Sequence, residues 1–199
     1  MYKPFYRRNL PHIQPKDGIF FITYRLYGSL PKQVHDSLKQ EIELLKKIKA
    51  KHSKPHHDNL FEKYETFLDK ATYGPVWLKQ KDIAKIVANS FHYLDSKDYR
   101  LICYTVMANH VHLIIDKCQR PLYKILQSLK RHTAIKCNAM LRREGVFWQK
   151  ESYDNLIKNM EDLANKINYT LDNPVKAGYV KCREDYEFSY CNPIFLKYL

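Results

Sequence analysis

Four side chains in this sequence could do chemistry together: His110, His112, Tyr169 and Asn173. The two histidines lie in LICYTVMANHVHLII, Leu101 to Ile115, which reads as two apolar strands joined at Met107-Ala108-Asn109. Strand side chains alternate faces, so His110 and His112 project to one side while Val111, Leu113 and Ile115 project to the other. The apolar trio can anchor the strand while the imidazoles stand side by side, which suits joint coordination of one metal ion. Two unrelated histidines on a half-buried strand would show the same spacing. This stretch leaves both readings open.

The tyrosine and asparagine belong to a helix. Asn159 is placed to cap it, and Glu161 and Asp162 put favourable charge in its first turn. Met160, Leu163, Ala164, Ile167 and Leu171 form one apolar stripe at helical spacing. At about 100° per residue, Tyr169 falls roughly opposite the stripe, and Asn173 lies one turn further along the same polar side. Pro174 is expected to end the helix, because the residue before a proline is pushed out of the α region. A hydroxyl and a carboxamide then project together, away from the helix's own packing face.

Other elements must position these groups. Ile19 to Leu26 (IFFITYRL) reads as a strand ended by Tyr27-Gly28-Ser29-Leu30-Pro31, and a helix follows with Val34, Leu38, Ile42, Leu45 and Ile48 on one face. Lys51 to Asn59 reads as a polar loop, with His52, His56 and His57 as solvated loop residues. Phe61, Tyr64, Phe67 and Leu68 mark a short helix that ends before Gly74-Pro75, and Ile83, Ile86, Val87, Phe91 and Leu94 mark an amphipathic one. After Pro121 a helix is expected to run to about Arg143, with Leu122, Ile125, Leu126 and Leu129 on its apolar side. Tyr153 to Ile157 is a further short segment. Strands interleaved with helices around a central hairpin, with no phosphate-binding glycine motif, imply an α+β domain without a nucleotide fold.

The chain has 199 residues, enough for a single domain of residues 1–199 with a helical insertion at about 32–72. No apolar run approaches the ~18–20 residues of a membrane span, and the N-terminus lacks a secretory h-region, so a cytoplasmic location is expected. Five widely spaced cysteines without a C-x-x-C pair are expected to be reduced and structural. Lys plus Arg number 34 against 21 Asp plus Glu, a net charge of +13 that points to nucleic acid as partner. Lys130, Arg131, Lys136, Lys166 and Lys176 are the candidate phosphate contacts; a solvated basic face is the plain alternative for any one of them.

At the chemical residues the sequence resembles a family. Val106-Met107-Ala108-Asn109-His110-Val111-His112-Leu113 is similar to the HUH motif (histidine, bulky hydrophobe, histidine) of the single-tyrosine transposases. Phe147-Trp148-Gln149, with Tyr169-Thr170-Leu171-Asp172-Asn173-Pro174-Val175-Lys176-Ala177-Gly178, resembles the C-terminal signature of the REP-associated tyrosine transposases. The likeness also takes in Gly28-Ser29-Leu30-Pro31 and Gly74-Pro75-Val76-Trp77-Leu78. It departs at Ala108, where proline is common, at Thr170, where isoleucine is common, and in the first strand, which lacks a histidine many relatives carry.

This resemblance implies a ferredoxin-like antiparallel sheet with packed helices, and metal-dependent cutting and rejoining of single-stranded DNA at or near hairpins. It implies Tyr169 as nucleophile, His110 and His112 as ligands of Mg²⁺ or Mn²⁺, Asn173 as the ligand that completes the site, and a homodimer. Tyrosine is a weak nucleophile at neutral pH, its free pKa being about 10, so a cation that polarises the scissile phosphate fits the need. Attack by Tyr169 would leave a 5′-phosphotyrosine and a free 3′-hydroxyl, and the retained bond energy would let a 3′-hydroxyl rejoin strands. Two alternatives stay open. A non-catalytic nucleic-acid-binding protein of the same fold would need none of the four groups, and a metal-dependent hydrolase would need the histidines but not Tyr169.

Overall fold

The computed structural model describes residues 5–7, 11–34, 36, 37, 40 and 65–198. The expected helix carrying Leu38, Ile42, Leu45 and Ile48, the loop with His52, His56 and His57, and most of the insertion at about 32–72 lie outside the described residues. A two-stranded ribbon, β1 (Phe5–Arg7) and β2 (Pro11–Ile13), precedes a five-stranded antiparallel sheet. The sheet comprises β3 (Ile19–Arg25), β4 (Arg100–Val106), β5 (His110–Asp116), β6 (Tyr153–Ile157) and β7 (Ser189–Cys191), in the order β6-β3-β5-β4-β7. Among the described residues, α1 (Lys81–Leu94), α2 (Leu122–Met140) and α3 (Met160–Lys176) are the long helices packed on it.

Side-chain alternation on β5 divides the core into two layers. Val111, Leu113 and Ile115 join Phe20, Ile22 and Tyr24 of β3 against α1 and α2. Ile114 joins Phe21 of β3 and Leu163, Ile167 and Leu171 of α3 on the other face. His110 and His112 share the α3 face, and every residue of β5, the middle strand, is buried. A register shift between Leu101 and Cys103 lets both Ile102 and Cys103 pack on the α3 side and sets Thr105 opposite His112.

Two features of α3 differ from the sequence expectation. Pro174 lies inside the helix, which continues to Lys176 before Ala177 closes it. Proline this late removes only one N–H from the last turns, and Ala177 N still reaches Asn173 O at 2.9 Å. The buried arc is also wider than the apolar stripe, since Thr170 and Asn173 are fully buried while Met160 at the start is exposed. The cap is as expected: Asn159 Oδ1 accepts from Asp162 N at 2.8 Å. The helix after Pro121 ends at Met140 rather than Arg143, where Leu141 closes it and Arg142 has positive φ.

The glycine motifs explain how the chain before α1 is fixed. Gly28 and Gly74 both have positive φ, +76° and +72°, and a Cβ on Gly74 would lie 2.1 Å from Gly28 O. That close backbone approach, with Leu78 N donating to Ala108 O at 3.2 Å, ties residues 73–78 to the β3 and β4–β5 turns. The helical residues 65–70 therefore lie over the histidine face of the sheet.

Candidate active site

The histidine pair is held from behind. His110 Nδ1 lies 2.7 Å from Asn109 Oδ1, and His112 Nδ1 lies 2.9 Å from Thr23 Oγ1 of β3. An N–H on each Nδ1 satisfies both acceptors and leaves each Nε2 with a bare lone pair. Those two Nε2 atoms face one another at 3.1 Å, both fully buried. Facing lone pairs repel, and a cation between such groups relieves the repulsion. The two rings stand side by side on one face of β5, as strand alternation requires.

Two further donors come from residues 65–70. Glu65 Oε2 lies 3.0 Å from His112 Nε2, and Asp69 Oδ1 lies 3.5 Å from His110 Nε2. One ligand atom from each of Glu65, Asp69, His110 and His112 falls within 4.8 Å of the others. Glu65 and Asp69 sit one helical turn apart, so one face of the turn presents both carboxyls. Sequence reasoning missed them because it ranked this helix only by its apolar residues.

Tyr169 and Asn173 reach the same place from α3. The Tyr169 hydroxyl donates to Glu65 Oε2 at 2.7 Å, and its ring stands edge-on to His112 and Phe21, with centroids 5.6 and 5.9 Å away. Asn173 Nδ2 lies 3.2 Å from His112 Nε2, while its buried Oδ1 has no hydrogen-bond partner. The pair is thus together, as expected, but it points into the sheet rather than away from the packing face of α3. Buried Glu65 Oε1 and Asp69 Oδ1 are likewise without hydrogen-bond partners. An array of orphaned oxygens and bare imidazole nitrogens fits a divalent cation by its chemistry.

Burial sets the electrostatics. It holds both imidazoles down to about 3, with the charge of His112 adding to the effect on His110 and that of Lys166 to the effect on His112. Both rings are therefore neutral near pH 7, and their carboxylate contacts are not ion pairs. Burial lifts Glu65 to about 7 against the opposing pull of His110, Tyr169, Lys166 and Thr23, and it lifts Asp69 to about 7 with help from the Glu65 charge. Tyr169 is raised above its ordinary value by burial and then by Glu65. A bound cation would reverse the carboxyl shifts.

The basic residues divide into three groups. Lys166 Nζ lies 4.9 Å from the Phe21 ring centre and 5.7 Å from that of Tyr169, and Lys176 Nζ lies 5.0 Å from Tyr169, so both flank the nucleophile candidate. Lys130 instead reaches Gln149 O, Lys150 O, Glu151 O and Ser152 Oγ at 2.9, 3.3, 3.3 and 2.7 Å, bracing the segment that leads into β6. Arg131 and Lys136 are exposed on α2. Arg131 and Lys130 line an open groove of about 920 Å³ between α2 and residues 145–152. Phe147 and Trp148 are buried beside it, with Trp148 Nε1 donating to Thr133 Oγ1 at 2.8 Å.

The chain is similar to transposases in both sequence and fold. The family model described as "Transposase IS200 like" matches residues 73–159, which include both histidines and stop short of Tyr169. A protein of Haemophilus influenzae described as a REP-associated tyrosine transposase is 26% identical over 102 residues, covering 46% of this chain and 58% of that protein. The solved structure of a REP-associated tyrosine transposase bound to a REP hairpin superposes with a TM-score of 0.55 at 17% identity, covering 92% of this chain and 80% of that one. Residues 73–159 thus match the family model described as "Transposase IS200 like", and the fold of the chain is similar to that of the REP-associated tyrosine transposase structure.

Proposed function

We propose that this protein is a metal-dependent endonuclease and strand transferase that cuts single-stranded DNA at or near hairpins through Tyr169. One observation carries the reading: a tyrosine hydroxyl and a buried carboxamide from α3, two facing imidazole nitrogens from β5 and the Glu65 carboxyl converge on one point from three separated parts of the chain. The hairpin carried by the structurally similar transposase supports the choice of DNA.

His110, His112 and Asn173, joined by Glu65 and Asp69, would hold Mg²⁺ or Mn²⁺, which when bound polarises the scissile phosphate. Tyr169 is the attacking group. Its proton already points at Glu65 Oε2, so an acceptor is in place before attack. Attack of the phenolic oxygen on phosphorus expels the 3′-oxygen and leaves a 5′-phosphotyrosine; return of a 3′-hydroxyl reverses the step. Lys166 and Lys176, beside the ring, attract the phosphate and offset its charge, while Arg131 and Lys136 contact the strand further out. Lys130 serves the DNA indirectly by holding residues 149–152 in place. A homodimer acting in the cytoplasm completes the proposal.

The test is a covalent adduct. With a cleavable single strand and Mn²⁺, the wild-type protein forms a denaturant-resistant DNA adduct, and so does Tyr153→Phe. Tyr169→Phe forms none but still binds the hairpin, and His110→Ala and His112→Ala bind without cutting. A second reading has its own support, because Glu65, Asp69, His110 and His112 form a donor set complete without Tyr169. A metal-dependent hydrolase built on them would release free 5′-phosphate ends, cut as well with Tyr169→Phe, and give no adduct.

A further inference from the structure

The C-terminal edge of the sheet contains two thiols that belong to no part of the site above. Cys103 of β4 and Cys191 of β7 are directly opposed in the antiparallel register, as are Thr105 and Ser189. Asn192 N donates to Ile102 O at 2.8 Å and Val106 N donates to Phe188 O at 2.9 Å. Hydrogen-bonded and non-hydrogen-bonded pairs alternate along such a ladder, so 103/191 and 105/189 are the narrow, non-hydrogen-bonded pairs, where Cα atoms approach to about 4.5 Å. The neighbouring narrow pair shows that side chains meet across this gap: Ser189 Oγ donates to Thr105 Oγ1 at 2.8 Å. Disulfides form at Cα separations of about 4.4–6.8 Å, which includes this spacing.

We infer that Cys103 and Cys191 are a redox site that takes low-molecular-weight disulfides as co-reactant and closes into a cross-strand disulfide. Both are free thiols, Cys103 fully buried and Cys191 half-buried, so reagent reaches Cys191 first. Cys191 Sγ donates to Asn192 O at 3.7 Å, and the neighbouring Cys103 side chain, with the Arg183 charge, holds the Cys191 thiol below its ordinary value. Burial keeps the thiols of Cys118 and Cys137 up, at about 12, and so unreactive.

The steps balance. The Cys191 thiolate attacks a disulfide RSSR, forming a mixed disulfide at Cys191 and expelling RS⁻, which takes up a proton. Cys103 then loses its proton and attacks the Cys191 sulfur, forming the internal bond and releasing the second RSH. Two protein thiols are oxidised and one disulfide is reduced to two thiols.

The loop so closed contains His110, His112, Tyr169 and Asn173. Oxidation would therefore lock the return path of α3 through β7 onto the strand beside the histidines. Closing so long a loop restricts the unfolded chain and raises Tm by several degrees.

The experiment is oxidation of the full chain with glutathione disulfide, read by mass spectrometry without reductant. Cys182 is an exposed free thiol that can take a glutathione adduct of its own. The variant Cys182→Ser should therefore lose two hydrogens, and wild type should show the same loss with or without that adduct. Both should yield one peptide linking Cys103 to Cys191, with a higher Tm that returns to the starting value on reduction. Cys103→Ser should stop at a stable glutathione adduct on Cys191, and Cys191→Ser should react slowly at Cys103. A wild-type protein that keeps a lasting adduct on Cys191 with Cys103 still alkylatable would overturn the proposal, as would one left with both thiols free. None of these readouts depends on DNA cleavage.

Discussion

The contact between Tyr169 and Glu65 is the place to test how the site is assembled, because it joins α3 to residues 65–70 across the face of the sheet. The hydroxyl donates to Glu65 Oε2 at 2.7 Å, and Glu65 is only 2% exposed. Burial sets Glu65 near 7, so the acceptor is ionised at pH 8 and protonated at pH 5.5. A hydrogen bond to a charged group contributes about 1.5–3 kcal/mol net, against about 0.5–1.5 kcal/mol for a neutral one. In metal-free protein at pH 8, Tyr169→Phe should cost about 1.5–3 kcal/mol, which is about 3–12 °C in Tm for a chain of this size. In a Glu65→Gln background the same replacement should cost much less. Urea unfolding of the wild type, both single variants and the double variant gives the coupling directly. It should fall by about half at pH 5.5, and saturating Mn²⁺ should shrink it further by engaging the carboxylate. A coupling under about 0.5 kcal/mol at pH 8 lies within ordinary non-additivity and would refute the placement of Glu65 against Tyr169.

Three other outcomes follow from the same geometry. Glu65 and Asp69 hold protons up to about pH 7, whereas His110 and His112 are neutral above about pH 3. Mn²⁺ affinity should therefore rise with pH to about 7 and then level, with proton release on binding at pH 6 and none at pH 8.5; calorimetry in two buffers measures this, and a profile unchanged by Glu65→Gln with Asp69→Asn would contradict it. Replacing Lys166 and Lys176 with Gln should lower the dependence of log K on log salt by about 1.4 for a single strand, about 0.7 for each phosphate no longer neutralised; an unchanged slope in fluorescence anisotropy would remove both from the DNA path. Thr133→Val should cost about 1–3 kcal/mol by leaving the buried Trp148 N–H without the oxygen now 2.8 Å away, and a melting curve that matches wild type would argue against that bond.

Periodicity was enough to place the histidines on one strand face and the tyrosine and asparagine on one helix, because strand and helix repeats are local properties of the backbone. It could not tell that Asn173 would be fully buried. The apolar stripe marks only where α3 meets apolar neighbours, whereas Asn173 is buried against His112 of the sheet and Thr170 is buried with its hydroxyl turned back onto Lys166 O of its own helix. The proline rule misplaced the end of α3 for a related reason. A proline one turn from a helix end removes one hydrogen bond, and tertiary packing of the last turn decides whether the helix continues.

What the sequence determined by itself was the α+β alternation, the β4–β5 hairpin with His110 and His112 pointing together, the Asn159 cap, and the basic surface. Each depends on residues within a turn or two of one another, or on composition alone. Tertiary structure alone decided that Glu65 and Asp69 join the histidines, that Lys130 braces the chain next to β6, and that Cys103 faces Cys191. These meetings join residues far apart in the chain, and they depend on sheet order, on the register shift in β4, and on the close approach of Gly74 to Gly28. Side chains can meet in this way only after the backbone has been folded over itself.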